Sequence, residues 1–199
     1  MITIRSASEV PWADLERVFD TPGDPRTCWC QYFKVTGAAW EEARPADLAP
    51  MLHDQARRGS PTPGLVAYVD DEPAGWVAVE PRDNYPRLRR SRVVKQGSVE
   101  PWDDASVWSI VCFVVRRDFR RRGVSGQLLA AAVEHARAEG ASVVEGYPVD
   151  VAEFTSSPAG SLYHGTGSLY HGTVSMFAAA GFSDASEAPA KRHVMALRL

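Results

Sequence analysis

The chain has 199 residues, of which 45% are hydrophobic and 24% are charged, as is usual for one soluble globular domain. Its formal net charge of −3 argues against a general nucleic-acid-binding protein. No apolar run approaches the roughly 18 residues of a membrane span, and the N-terminal residues lack the apolar core of a signal peptide. We therefore expect a cytoplasmic protein with no membrane partner.

The N-terminal part of the chain predicts one strand followed by helices. Residues 2–5 alternate apolar and polar side chains, which favours a short strand. A helix is expected over 11–19, and the proline, glycine and aspartate residues of 21–25 interrupt regular structure. Apolar residues recur at helical spacing within 40–58, where two prolines favour two shorter helices over a single long one.

The middle of the chain predicts a hairpin and then a buried strand followed by a helix. Strand-like runs at 65–69 and 75–79 are separated by a polar turn. Residues 80–104 are polar, basic and rich in proline, and indicate a long connection. The run at 107–115 is nearly all apolar, which is typical of a strand buried on both faces, and an alanine-rich helix is expected over 126–140.

Further elements are expected near the C-terminus: a strand at 142–147, a helix at 173–180 and a last strand at 193–199. Strands and helices that alternate in this way predict an α/β fold.

The turn after the strand at 107–115 carries three consecutive arginines, Arg120 to Arg122, followed by Gly123 and Gly126. A helix N-terminus carries a partial positive charge, so cationic side chains are not the intrinsic preference there. A bound phosphate would reverse the sign of this interaction, and glycines let a backbone approach such an anion closely. The chain contains neither the P-loop pattern nor G-x-G-x-x-G, so a mononucleotide or dinucleotide site of those kinds is poorly supported.

Two segments resemble motifs of the GNAT superfamily of acetyl-CoA-dependent N-acetyltransferases. Arg120-x-x-Gly123-x-Ser125 is similar to the family signature Q/R-x-x-G-x-G/A, with serine at the last position. Residues 176–182 are similar to the closing L-Y-x-x-x-G-F motif. The resemblance implies one domain over 1–199 with a mixed, mostly antiparallel central sheet of about six to seven strands and helices on both faces.

The resemblance further implies acetyl-CoA as cosubstrate and acetyl transfer to a primary amine by direct attack on the thioester, without a metal. The end of the strand would pair with the pantetheine amides, and the turn would bind the pyrophosphate. The cofactor-binding residues carried over are Phe113, Val114, Val115, Arg120, Arg121, Arg122, Gly123, Val124, Ser125 and Gly126. A backbone N–H near Phe113 would stabilise the oxyanion.

The catalytic residues depart from the family pattern, because Phe177 occupies the position of the tyrosine that serves as general acid in many members. Four other side chains are candidates for the proton transfers: Tyr147, Tyr170, Glu145 and His171. The tyrosines would donate a proton to the thiolate, Glu145 would accept one from the amine, and His171 suits either role. Each could instead be a hydrogen-bonded structural residue, with water relaying the protons.

The sequence is compatible with more than one acceptor and with a role other than catalysis. The acceptor could be a small-molecule amine, a protein lysine or a protein N-terminus, and the chain could instead be a non-catalytic acyl-CoA-binding sensor or scaffold. Formation of a homodimer is also left open.

The cysteines and the basic segment have two interpretations each. Cys28, Cys30 and Cys112 favour structural packing over metal or redox chemistry, and no metal ligand set is predicted. The basic segment 82–95 is either a solvated face or an attractor of an acidic acceptor or of the CoA 3′-phosphate. Trp29, Trp40, Trp76 and Tyr85 are further candidates for the acceptor pocket.

The sequence GSLYHGT occurs twice in tandem, at 160–166 and 167–173, within a predicted long loop. The second copy leads directly into the last helix and is expected to be structural. The first copy is expected to be additional loop, because lengthening a loop costs little entropy.

Overall fold

The computed structural model describes residues 1–151, 166–185 and 193–199, which form a seven-stranded sheet in the order β1-β2-β3-β4-β5-β7-β6. The strands are β1 Ile2–Ser6, β2 Gly64–Val69, β3 Glu72–Pro81, β4 Val107–Val115, β5 Val143–Gly146, β6 Ser183–Asp184 and β7 Met195–Arg198. All neighbours are antiparallel except β4 and β5. The predicted α/β class, with a mostly antiparallel sheet of six to seven strands, is confirmed.

The α-helices of the described residues are α1 Trp12–Phe19, α2 Pro25–Cys28, α3 Ala38–Glu42, α4 Pro45–Arg58, α5 Arg92–Gly97, α6 Val124–Ala138 and α7 Val174–Ala179. Short 3-10 helices add Ala7–Glu9, Arg82–Asn84, Leu88–Arg90, Arg117–Phe119 and Thr166–His171. No helix in these ranges is long and apolar enough to cross a membrane.

The sheet buries apolar side chains on both faces, as predicted for the strand that forms β4. On one face, Leu128, Leu129 and Ala132 of α6 pack with Phe177 of α7. On the other face, α1 and α4 cover Trp76, which is 1% exposed. Covering both faces accounts for the nearly uninterrupted apolar sequence of β4.

A β-bulge interrupts the pairing of β3 with β4. Ala78 lies opposite Cys112, whereas the next β3 residue, Val79, lies opposite Ile110. Val111 is therefore one residue more than β3 provides at this point. A bulge bends its strand and redirects the side chains and backbone groups beside it.

Some boundaries differ from the sequence-based expectations. The helical region 40–58 is divided at Pro45, whereas Pro50 lies inside α4, where the buried side chains of Leu48 and Leu52 hold the helix against the sheet. The expected long connection 80–104 contains the short helix α5, and the interrupted region at 21–25 leads into α2. β6 has only two residues and was not predicted.

The second GSLYHGT copy provides the 3-10 helix before α7, and its last residue, Thr173, caps α7 by accepting a hydrogen bond from the Met176 N–H at 3.3 Å. The first copy, apart from Thr166, lies outside the described residues.

Candidate active site

Six consecutive backbone N–H groups, those of residues 121–126, have no acceptor among the described residues. The first hydrogen bond of α6 runs from the Gln127 N–H to the Gly123 carbonyl at 3.1 Å. Arg121 and Gly123 have φ angles of 60° and 78°, so the chain is left-handed on both sides of Arg122. Alternating conformations of this kind turn successive N–H groups toward one concave surface, which binds anions. The arginine turn therefore has the backbone geometry of a phosphate site.

The side chains of the turn leave this surface accessible and cationic. A Cβ added to Gly123 or Gly126 would meet no atom within 4 Å, so no neighbouring protein group occupies the space beside either glycine. The first turn of α6 has no acidic residue and no side-chain cap. Arg120 donates from Nε to the Val115 carbonyl at 3.1 Å, and none of the three arginines forms a salt bridge with a described residue. This turn fits the pyrophosphate of a coenzyme.

β4 and β5 separate beyond Ile110. Their parallel pairing ends where Ile110 meets Gly146, and the chain after β5 pairs with Thr173 through Val149 instead of following β4. The second half of β4, which contains Phe113, Val114 and Val115, therefore has an edge with no described strand beside it. Such an edge offers N–H and C=O groups to an extended ligand. It fits the pantetheine amides expected there.

His171 faces the bulge at the start of this open edge. Its Nδ1 lies 2.8 Å from the Val111 carbonyl oxygen. A carbonyl only accepts hydrogen bonds, so Nδ1 carries the hydrogen, and in the neutral ring Nε2 carries the lone pair. The ring also packs edge-on against Phe33, with 5.5 Å between centroids. The sequence-predicted His171 is thus held in the tautomer that a general base needs.

Tyr170 is half-buried near the same edge, and its hydroxyl makes no hydrogen bond to a described residue. The hydroxyl lies 2.9 Å from the position of a Cβ added to Gly23, which places it under the loop before α2. Burial and then Asp24 raise the pKa of Tyr170, whereas the Arg120 guanidinium opposes this shift. The raised pKa keeps the phenol protonated at neutral pH, the state that a proton donor requires.

Glu145 and Tyr147 belong to a buried network on the face opposite α6. Both carboxylate oxygens of Glu145 accept hydrogen bonds: Oε1 from Ser98, and Oε2 from Arg82 at 3.1 Å and from the Tyr147 hydroxyl at 3.0 Å. The Tyr147 oxygen also lies 2.8 Å from the Ser109 hydroxyl. Burial, and then the Glu145 carboxylate, raise the pKa of Tyr147 well above its usual value. This geometry favours a structural role for the pair, as the sequence had left open.

We expect Arg82→Met to lower the free energy of unfolding by about 3–5 kcal/mol, because it leaves the Glu145 carboxylate buried without its cation. Arg82 and Glu145 are each 1% exposed. Urea unfolding followed by tryptophan fluorescence measures the change, and Arg92→Met at an exposed site of the same segment is the control. A loss below about 1 kcal/mol, the size expected of a surface pair, would contradict the structural role of this ion pair.

Phe177 is fully buried and cannot serve as a proton donor. A Cβ added to Gly146 would lie 2.1 Å from its ring, so the ring fills the space that a β5 side chain would take. Phe177 also contacts the rings of Phe113 and Phe182 edge-on. Phe177 is therefore a packing residue at the end of β5.

The three cysteines, Cys28, Cys30 and Cys112, lie close together beside the bulge. Their positions in the sequence did not predict this proximity. All are free thiols, and the Trp76 indole N–H donates to the Cys30 sulfur at 3.2 Å. Burial raises the pKa of Cys28 to about 12. A hydrogen bond with Cys30, followed by burial, raises the pKa of Cys112 well above its usual value. Both remain protonated near neutral pH, which suits packing better than nucleophilic attack. No group of three or more metal-ligating side chains occurs in the described part of the chain.

The sequence profile of the acetyltransferase (GNAT) family matches residues 26–157, more than half of the chain and including the arginine turn and the open edge of β4. The chain belongs to the GNAT acetyltransferase family. As a GNAT protein it is an acyl-CoA-dependent N-acyltransferase. No curated protein matches it in sequence.

Several solved structures share the GNAT fold with this chain. The ribosomal-protein-alanine N-acetyltransferase of Brucella melitensis aligns with a TM-score of 0.54 and 17% identity over 99% of each chain. The PaiA N-acetyltransferase of Thermoplasma acidophilum, in complex with coenzyme A, aligns with a TM-score of 0.55 and 14% identity over 100% of this chain and 99% of its own. A GCN5-related N-acetyltransferase of Kribbella flavida gives a TM-score of 0.53 and 18% identity, with 100% and 98% coverage. At these identities the likeness establishes the fold.

Proposed function

We propose that this GNAT protein transfers the acetyl group of acetyl-CoA to a primary amine by direct attack on the thioester, with the site between the arginine turn and His171. The observation that carries the proposal is the row of unpaired N–H groups at 121–126, next to an open strand edge. A pyrophosphate in the turn and an extended pantetheine along β4 would direct the thioester toward the bulge at Val111.

The proposed proton transfers use two side chains of the second GSLYHGT copy. His171 accepts the proton of the incoming ammonium at Nε2, while its Nδ1–H stays bonded to the Val111 carbonyl. Tyr170 donates its hydroxyl proton to the departing thiolate. The Phe113 N–H would stabilise the oxyanion, because strand backbone groups two residues apart face the same edge. Glu145 and Tyr147 would hold β5 in position, because Glu145 is hydrogen-bonded to Arg82 and Tyr147 to Ser109.

The test follows free thiol release from acetyl-CoA, and the mass of the product, over a panel of small amines, lysine peptides and N-terminal peptides. Stoichiometric thiol and acetylated amine are expected with at least one acceptor class. Tight binding of acetyl-CoA without turnover of any amine would favour the sensor over the enzyme. Failure to bind acetyl-CoA would contradict the proposed site.

Direct attack also predicts that Cys112→Ala retains a kcat within about tenfold of the parent, because no acetyl-cysteine forms at a protonated thiol. A burst of thiol release in the absence of amine that is lost in Cys112→Ala would instead show a covalent intermediate.

The cytoplasmic location expected from the sequence stays a prediction.

A further inference from the structure

A cavity of about 350 Å³ lies next to Phe33, along the middle of the basic segment 82–95. Its lining includes Tyr32, Phe33, Arg87, Arg90 and Ser91. Phe33 is one of these lining residues, and its ring contacts the His171 ring edge-on, with 5.5 Å between centroids. Phe33 therefore connects the cavity to the side chain that is proposed to take the acceptor's proton.

Arg87 is held in place by its surroundings. Its Nε donates to the Val35 carbonyl at 2.8 Å, and its backbone N–H donates to the Phe33 carbonyl at 3.2 Å. The guanidinium carbon lies 4.4 Å from the Tyr32 ring centroid and 5.0 Å from that of Trp40. Cation–π contacts with these two rings, which stand at 88° to each other, hold the guanidinium in place, and its terminal nitrogens make no hydrogen bond to a described residue.

The charge of the cavity lacks a partner among the described residues. Neither Arg87 nor Arg90 forms a salt bridge there, and the residues lining the cavity include no carboxylate. Two unpaired arginines on one wall attract an anion, and a guanidinium fork matches a carboxylate in a bidentate way. The arginine turn is proposed to bind the phosphates of the coenzyme, and none of its residues lines this cavity.

We propose that the acceptor is a small-molecule amine that also carries a carboxylate, which Arg87 and Arg90 bind while the amine faces His171. The proposal rests on the proposed acetyltransferase function and names its substrate class. The volume falls at the lower end of the ~300–1,000 Å³ range of small-molecule pockets, which suits a compact acceptor better than a protein segment. The aromatic walls would contact the apolar part of such a molecule.

The test compares amine pairs that differ only in the anion: L-phenylalanine with L-phenylalaninamide, L-methionine with L-methioninamide, and γ-aminobutyrate with γ-aminobutyramide. The acid-to-amide ratio of kcat/KM is measured in the parent and in Arg87→Gln, so that differences in amine basicity cancel. We expect the substitution to lower this ratio by about 10- to 100-fold for at least one pair. Arg90→Gln, at an exposed position, is expected to lower it in the same direction and covers the case in which Arg87→Gln fails to fold.

Arg92→Gln is the matched control, since Arg92 is an exposed arginine of the same segment outside the cavity lining, and its ratio should equal that of the parent. A ratio that neither cavity substitution lowers, or that Arg92→Gln lowers equally, overturns the inference. Binding of N-acetyl-L-phenylalanine and of its amide in the presence of CoA is measured separately by calorimetry. The parent could prefer the carboxylate ligand in binding, lose this preference in Arg87→Gln, and yet acetylate no amine. This result would contradict the proposed acetyltransferase function but support the carboxylate site at Arg87. No preference in binding or in turnover would reject the site.

Discussion

Gly126→Glu is expected to abolish acetyl-CoA binding without damaging the fold. Gly126 is helical, and a Cβ there meets nothing within 4 Å, so the protein itself has room for the new side chain. Replacing a helical glycine by a residue with a side chain, and adding an acid in the first helical turn, are each stabilising by about 0.3–1 kcal/mol. The new carboxylate would nonetheless fill the space proposed for the pyrophosphate and would repel its negative charge.

We expect the dissociation constant for acetyl-CoA to rise at least ~100-fold, about 2.7 kcal/mol, as measured by calorimetry. The melting temperature should stay equal or increase. Ala130→Glu adds the same side chain one turn further along α6, at an exposed position, and should leave the affinity within about twofold. Gly123 is a less suitable position, because its φ of 78° makes any side chain strained. Unchanged affinity in Gly126→Glu would mean that the coenzyme binds elsewhere.

His171→Asn is expected to lower kcat by about 10²- to 10⁴-fold, the contribution typical of a general base. The asparagine amide can replace Nδ1 as the donor to the Val111 carbonyl, while the substitution removes the Nε2 atom proposed to take the proton. Steady-state kinetics with a saturating amine measure the loss, and the affinity for acetyl-CoA should change little. If kcat and the affinity for acetyl-CoA fell together, His171 would have a structural role instead.

The tandem repeat supplies a matched control for His171. His164→Asn makes the same change in the same seven-residue sequence context, GSLYHGT, one copy earlier. We expect full activity from His164→Asn, because the sequence indicates that the first copy is additional loop, whereas His171 is the proposed base. Equal losses from the two substitutions, or loss at His164 alone, would contradict the assignment of the base.

The local patterns of the sequence predicted the framework of the site closely. The nine residues of β4, all apolar except Ser109, are followed closely in the chain by the arginine turn, so periodicity and composition were sufficient to predict both. α6 begins at Val124 instead of the expected Gly126, because the left-handed Gly123 ends the turn and Gly126 lies within the first helical turn. Both segments could therefore be located from the sequence to within two residues.

What the sequence could not provide depends on pairing between distant residues. The bulge at Val111 exists only relative to β3, and Glu145 meets Arg82 across 63 positions. A carboxylate on a strand beside the site was a reasonable candidate base, yet its oxygens are occupied by Arg82, Ser98 and Tyr147. The cavity at Arg87 likewise depends on contacts of Tyr32 and Trp40 with a guanidinium that lies far along the chain.

Hydrogen–deuterium exchange of the parent protein, with and without acetyl-CoA, tests the central claim most directly. The backbone N–H groups of 121–126 have no acceptor among the described residues and should exchange quickly in the free protein. Bound acetyl-CoA should slow exchange in this segment and at the open edge of β4, Phe113 to Val115, more than anywhere else. Binding of acetyl-CoA with unchanged exchange at 121–126 would contradict the claim that this turn holds its pyrophosphate.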